Sequence, residues 1–166
     1  MKKLIIINGP SCAGKSTIID EFFLSQKHFF WLKYDAIKRF FVDYEPTRDK
    51  EKVQELVTVI GTDRINRGEN ILLESSLENI VELAEESGYE IFEFNIEAPY
   101  PVLLQRFRER VSNIKVGVRI NTSEERHREI YDSYVSNKRG GGVTFDTSIL
   151  SKEEIVDKMI ELVFLY

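Results

Sequence analysis

The octet Gly9-Pro10-Ser11-Cys12-Ala13-Gly14-Lys15-Ser16 constrains this chain more than any other stretch, because it completes G-x-x-x-x-G-K-[ST] directly after the apolar run Leu4-Ile5-Ile6-Ile7. Thr17-Ile18-Ile19-Asp20-Glu21-Phe22-Phe23-Leu24 follows as a helical pattern. A buried strand, a glycine-bounded loop and a helix, in that order, aim the first N–H groups of the helix at an anion. Gly9 and Gly14 let the backbone wrap phosphates, Pro10, Ser11, Cys12 and Ala13 line the turn, and Thr17 opens the helix. Lys15 is placed to reach β- and γ-phosphate oxygens, and the Ser16 hydroxyl to ligate Mg²⁺. The competing reading is a glycine turn with a surface lysine. The joint register of strand, loop, Lys-Ser pair and helix favours the phosphate loop.

The bulk properties narrow the setting. At 166 residues the expected organisation is one domain, 1–166, so a substrate site has to come from the same sheet. Hydrophobic residues at 42% and charged residues at 31% are ordinary globular values and suggest neither disorder nor membrane insertion. The net charge of −5 does not favour nonspecific nucleic-acid binding, although a local basic groove is compatible with an acidic protein. Met1-Lys2-Lys3-Leu4 resembles the start of a secretion signal, but Asn8-Gly9-Pro10 ends the apolar run short of the roughly 7–15 residues needed. The expectation is a cytoplasmic protein with no membrane partner. Cys12, the lone cysteine, forms no internal disulfide, and His28 and His127 lack metal-ligand spacing and read as structural or solvated. Nothing in the sequence speaks to oligomeric state.

Strand-like runs at Lys3–Asn8, Phe29–Tyr34, Asn70–Glu74, Glu90–Ile96 and Val143–Asp146 alternate with helical patterns, which implies an α/β fold with a parallel sheet covered on both faces. The helices are expected over Lys15–Ser25, Ala36–Val42, Lys50–Asn66, Leu77–Ser87, Pro101–Val111, Glu124–Asn137 and Lys152–Leu165. Ser75 with Glu78, Thr122 with Glu125 and Ser151 with Glu154 have capping-box spacing, and Gly68 and Gly88 stand as stop signals before strands.

Ligands of open parallel sheets bind beyond the carboxyl ends of the strands, which singles out particular residues. Asp35 follows the second strand, with Arg39 four positions on along one helix face. The carboxylate suits a base that takes the proton of an attacking hydroxyl, and the arginine suits a group that orients an acceptor; an N-cap or a surface ion pair is the structural alternative. Glu74 ends the third strand in a Walker-B-like position facing Mg²⁺ or its water shell. Arg106 and Arg110 share a face of the helix after the fourth strand, where arginines can stabilise charge on a transferring phosphoryl group. Arg119 lies in the polar segment Ser112–Ser123, a candidate lid.

With Gly9–Ser16, Asp35-x-x-x-Arg39 and Leu103-x-x-Arg106-x-x-x-Arg110 in hand, the chain resembles P-loop kinases of the nucleoside-monophosphate-kinase-like group. The resemblance is greatest to the branch of chloramphenicol phosphotransferase, zeta-toxin and polynucleotide-kinase-type domains, and it spans nearly the whole length. It implies a three-layer α/β/α P-loop fold with a five-stranded parallel sheet in the order 2-3-1-4-5, with ATP and Mg²⁺ as cofactors. It further implies Asp35 as base, Arg106 stacking on adenine, Arg110 reaching the phosphates, and adenine beside Asp146-Thr147-Ser148. The stretch Val42–Gly68, where acceptors usually bind in that group, carries no substrate signature. The leading expectation is transfer of the γ-phosphate of Mg·ATP to a hydroxyl of a small-molecule acceptor. The alternatives are a 5′-hydroxyl polynucleotide kinase, a zeta-toxin-like sugar-nucleotide kinase and a nucleotide-binding switch or NTPase. Nucleic acid stays open as a substrate without being favoured.

Overall fold

The computed structural model describes residues 1–75, 77–113, 123–138 and 140–165. Along the chain these form β1 (Lys3–Asn8), α1 (Lys15–Ser25), β2 (Phe29–Lys33), α2 (Tyr34–Lys38), α3 (Pro46–Asn66) and β3 (Asn70–Glu74). They continue as α4 (Glu78–Glu86), β4 (Glu90–Glu97), α5 (Tyr100–Ser112), α6 (Glu124–Asn137), β5 (Val143–Asp146) and α7 (Lys152–Phe164). The strands make one parallel five-stranded sheet in the order β2-β3-β1-β4-β5, flanked by helices in the expected three-layer arrangement. Among the described residues no helix is long and apolar enough to cross a membrane.

By compactness the chain divides into one unit of Met1–Asn8 with Phe23–Phe94 and a second of Gly9–Phe22 with Asn95–Tyr166. In the first, β1 pairs in parallel with β3, Leu4 opposite Ile71 and Ile7 opposite Glu74, and β3 pairs with β2, Phe29 opposite Asn70. Leu4 to Ile7 and Ile71 to Leu73 are buried without a break, as strands covered on both faces require. One face carries Leu4, Ile6, Leu32, Ile71 and Leu73 into a core with Val53, Val57 and Ile65 of α3 and Ile80 and Ala84 of α4. Tyr89 closes this core. Its hydroxyl stands 3.2 Å from the Ile65 carbonyl and 2.9 Å from that of Glu69, so one proton ties the end of α3 to the start of β4.

Local chemistry explains where these elements begin and end. Gly68 and Gly88 adopt φ of 72° and 74°, the left-handed conformation that stops a helix and that glycine alone enters without strain. The helix expected over 36–42 runs instead over Tyr34–Lys38. Beyond it Phe40 and Phe41 donate to the carbonyls of Ile37 and Lys38, so the chain tightens into i→i+3 turns through residues that are poor helix formers. α3 starts earlier than its periodicity suggests, with Pro46 in its first turn and the Asp49 carboxylate accepting from the Glu45 N–H at 3.1 Å. A proline there gives up an N–H that has no helical partner in any case.

In the second unit Ile18, Ile19 and Phe22 of α1, Leu103 and Phe107 of α5, Phe145 of β5, and Ile155, Val156, Met159 and Val163 of α7 are buried. Ser151 and Glu154 form the expected reciprocal capping box at α7. The Ser75–Glu78 box does not form as read. α4 has Leu77 at its N-cap with no side-chain bond, so the Ser75–Glu78 spacing is misleading; Ser75 itself is left-handed at φ 75° and donates its N–H to Ile7 across the sheet. α6 is capped by Ser123, whose side chain accepts from the Arg126 N–H. Thr122, like Arg119 and residues 114–122 of the candidate lid, lies outside the described residues.

Candidate active site

The phosphate loop occupies the turn between β1 and α1 that its sequence calls for. Gly9 is at φ 151°, and a Cβ there would sit 2.1 Å from the Ile96 carbonyl oxygen, so only glycine lets the loop leave the strand along this path. Cys12 and Gly14 follow at φ 65° and 97°. Ala13 is fully buried and donates its N–H to the Pro10 carbonyl at 3.4 Å. The first helical bond of α1 runs from the Ile18 N–H to the Gly14 carbonyl at 3.0 Å. The N–H groups of Gly14, Lys15, Ser16 and Thr17 therefore precede the helical ladder, as at any helix N-terminus, and with the helix dipole they favour an anion.

Lys15 bends back over its own loop, donating from Nζ to the Gly9 carbonyl at 2.8 Å and the Pro10 carbonyl at 3.0 Å. These bonds hold an ammonium against the opening residues of the loop. Ser16 and Thr17 are exposed at the head of α1, and Ser11 and Cys12 are half-buried.

Arg106 and Thr147 join this cradle. The Arg106 guanidinium donates to the Thr147 hydroxyl at 2.7 Å, the Thr147 carbonyl at 2.8 Å and the Cys12 carbonyl at 3.5 Å. Thr147 Oγ1 lies 3.0 Å from the Ala13 carbonyl and 3.1 Å from that of Glu97. Loop, α5 and the turn after β5 are thus knotted through one side-chain pair. Because these bonds lie in the guanidinium plane, they fix its orientation and leave its faces to stack on a flat ring. Arg110, one turn further along α5, is exposed and makes no hydrogen bond or ion pair among the described residues.

His127, which sequence gave no function, is a core residue. It is 1% exposed, its ring centroid 4.6 Å from that of Phe107 and 5.9 Å from that of Tyr100. Burial pushes its pKa down, offset in part by the nearby Ser11 backbone and then by Glu124, and among the described residues neither ring nitrogen has a hydrogen bond of good geometry. His28 is exposed.

The remaining candidates belong to the first unit. Asp35 lies inside the first turn of α2, whose N-cap is Lys33, so it does not cap the helix. Nor does it pair with Arg39: its carboxylate accepts from Lys38 Nζ at 2.6 Å and is 63% exposed, while Arg39 is exposed. Lys38 was missed by sequence reasoning although i,i+3 is as good a helical spacing as i,i+4. Its ammonium also stands 4.8 Å from the Tyr34 ring and 5.5 Å from the Tyr44 ring. The Tyr34 hydroxyl is pushed up to about 12, by burial first and then by Tyr44. Glu74 is buried at the carboxyl end of β3, opposite Ile7 and Lys33.

Among the described residues no group of three or more His, Cys, Asp or Glu side chains is placed to hold an ion. A Mg²⁺ that arrives with a nucleotide needs no such cage, since it keeps waters and takes one or two protein oxygens beside the phosphates. The Ser16 hydroxyl and the Glu74 carboxylate each carry hard oxygens.

No protein-family model and no curated protein matches the sequence. Solved structures do match in fold. A Chloroflexus aurantiacus protein described as a kinase superposes with a TM-score of 0.72 at 17% identity, covering 96% of this chain and 97% of its own. The tunicamycin resistance protein of Deinococcus radiodurans gives 0.66 at 14% identity over 100% and 98%. Shikimate kinase of Acinetobacter baumannii, in complex with shikimate, gives 0.62 at 16% identity over 99% and 94%. The chain has the fold of the P-loop kinases over nearly its whole length.

Proposed function

We propose that the chain is an ATP-dependent phosphotransferase, a single kinase domain that moves the γ-phosphate of Mg·ATP to a hydroxyl of a small-molecule acceptor. The observation that carries this reading is the cradle itself: Lys15 fixed across the Gly9 and Pro10 carbonyls at the head of α1, with Arg106 and Thr147 tied to its far side. Residues Gly9 to Thr17 hold the phosphates, and Arg106 and Thr147 flank the adenine. Ser16 would ligate Mg²⁺ and Glu74 would face the ion or its water shell; the ion supplies neutralisation of charge on the β- and γ-phosphates.

In the transfer the acceptor hydroxyl oxygen forms a bond to the γ-phosphorus while the bridging bond to the β-phosphate breaks and ADP leaves. Asp35 takes the hydroxyl proton, Arg39 orients the acceptor, and Lys15 and Arg110 stabilise negative charge on the phosphoryl oxygens. The exposed carboxylate of Asp35, just past the carboxyl end of β2, suits a proton acceptor for a bound hydroxyl. A transfer screen tests the reading: labelled ATP is offered with nucleosides, aminoglycoside-like and phenicol antibiotics, sugar nucleotides and 5′-hydroxyl oligonucleotides. Label on a small neutral or charged acceptor supports it. Label confined to the oligonucleotides replaces it with polynucleotide kinase activity.

A further inference from the structure

The Asp35 carboxylate has little packing to hold it, since it is 63% exposed in the first turn of a five-residue helix. A general base nevertheless works only when one of its oxygens stands within hydrogen-bond reach of the proton it removes. Misplacement by about 1 Å costs about a hundredfold in rate. On the phosphotransferase reading this carboxylate therefore needs a fixed position, and the side chains around it form a chain of contacts that supplies one.

Lys38 is the first link. Its Nζ donates to Asp35 Oδ1 at 2.6 Å, which limits rotation of the carboxylate and so fixes where Oδ2 stands. A lysine is flexible along four carbons and by itself would pass on its own mobility. Here the ammonium is held: it stands 4.8 Å from the Tyr34 ring centroid and 5.5 Å from that of Tyr44, both inside the ~6 Å reach of cation–π attraction. The rings are anchored in turn. Tyr34 and Tyr44 both pack against the core that holds Ile37 of α2 and Val53 and Val57 of α3, and the Tyr34 hydroxyl donates to the Lys50 carbonyl of α3 at 3.4 Å. Contacts thus run from the core through two rings to an ammonium and end on the exposed carboxylate. All of these residues lie in the first compact unit.

An i,i+3 ion pair on a helix surface does not by itself do this, because water screens it and either side chain readily leaves the geometry. Lys38 is different in that its side chain is 32% exposed and its ammonium meets aromatic faces as well as a carboxylate. We infer that Lys38 is a positioning residue for the proposed reaction, seated against Tyr34 and Tyr44 and holding Asp35 where it takes the acceptor's proton. The inference rests on the phosphotransferase reading and adds to it a residue that acts through the base.

The test measures label passed from terminally labelled ATP to the mixed acceptors of the transfer screen, with Mg·ATP affinity and melting temperature measured on the same variants of the full chain. Lys38→Met keeps an unbranched stem and removes the ammonium. It should lower transfer by about 10–100-fold while Mg·ATP affinity stays at the wild-type value. Lys38→Arg keeps a cation that stacks on aromatic faces and should return transfer to within about fivefold of wild type. Tyr44→Leu removes one wall of the seat and should lower transfer by a smaller factor than Lys38→Met. The decisive arm is the double variant: because Lys38 acts through Asp35, adding Lys38→Met to Asp35→Asn should change transfer by less than about twofold. The inference is overturned if Lys38→Met transfers at the wild-type rate, if Lys38→Arg is as slow as Lys38→Met, or if the two losses multiply in the double variant. Failure of the underlying reading looks different. Asp35→Asn would then transfer as fast as wild type, or wild type itself would transfer no label, and the inference would fall with it.

Discussion

The phosphate cradle and the segment after β2 are built in opposite ways. In the cradle nearly every contact ends on backbone: Lys15 on the Gly9 and Pro10 carbonyls, Arg106 on those of Cys12 and Thr147, the Thr147 hydroxyl near those of Ala13 and Glu97. Around Asp35 the interactions run between side chains, the exposed carboxylate with Lys38 and the half-buried ammonium of Lys38 with the half-buried rings of Tyr34 and Tyr44. Backbone acceptors are fixed by the fold and tolerate little change in the residues that read them. Side-chain clusters on a surface can be rewritten without unfolding anything. In the proposed reaction the first region serves the nucleotide and the second the acceptor.

Substitutions in the two regions test this contrast. The largest effect is expected for Lys15→Ala, which removes the ammonium held against the Gly9 and Pro10 carbonyls and should lower turnover by about 10³ or more with folding retained; near wild-type transfer would remove the loop from the chemistry. Asp35→Asn should lower turnover by about 10²–10⁴ while ATP affinity and melting temperature hold, because the residue neither caps α2 nor supports a core. Unchanged turnover with a lowered melting temperature would make it a purely structural residue. Next come the arginines. Arg106→Ala should raise the ATP KM by about tenfold, and Arg106→Lys should not restore it, since an ammonium cannot reproduce the planar fork. Arg110→Ala should act mainly on kcat. Wild-type kinetics in both would show α5 to be only solvated there.

The smallest effects concern stability, and pH separates the two units. Asp49 is held down to about 2, chiefly by its bond to Arg48. Its contribution is full above the ordinary 3.8 and is lost as pH falls toward about 2. Asp49→Asn should therefore cost a few degrees of melting temperature near neutrality and almost nothing at the acid limit. His127 titrates below the ordinary histidine value of 6.5 because it is buried. The unfolded chain takes up its proton first, so stability falls as pH drops below that value. His127→Phe keeps the ring packing and should flatten a loss of a degree or two between about pH 7 and pH 5. A slope that persists in the variant would assign the effect to another group.

The donor half was legible in the sequence because its geometry leaves few residue choices. Gly9 is forced by the Ile96 carbonyl, and the unbroken apolar runs of β1 and β3 by burial on both faces. The strand order needed the family resemblance, since periodicity says nothing about which strands neighbour each other. What eluded the sequence depended on rotamers or on competition between equal spacings. Asp35 chose Lys38 over Arg39, the Ser75–Glu78 pair gave way to a left-handed Ser75, and the Glu97–Tyr134–Lys138 cluster joins residues far apart in the chain. No local pattern marks such a cluster in advance.

In the proposed function the cradle delivers a phosphoryl group to a bound hydroxyl rather than to water. Terminally labelled ATP, incubated with wild type, Lys15→Ala and Asp35→Asn in the presence and absence of an acceptor found by the transfer screen, tests this most directly. Wild type should place label on the acceptor, Lys15→Ala should place none, and Asp35→Asn should transfer slowly while still binding ATP. Label released by wild type only as inorganic phosphate, at a rate indifferent to every acceptor, would make the protein a nucleotide-hydrolysing switch instead of a kinase.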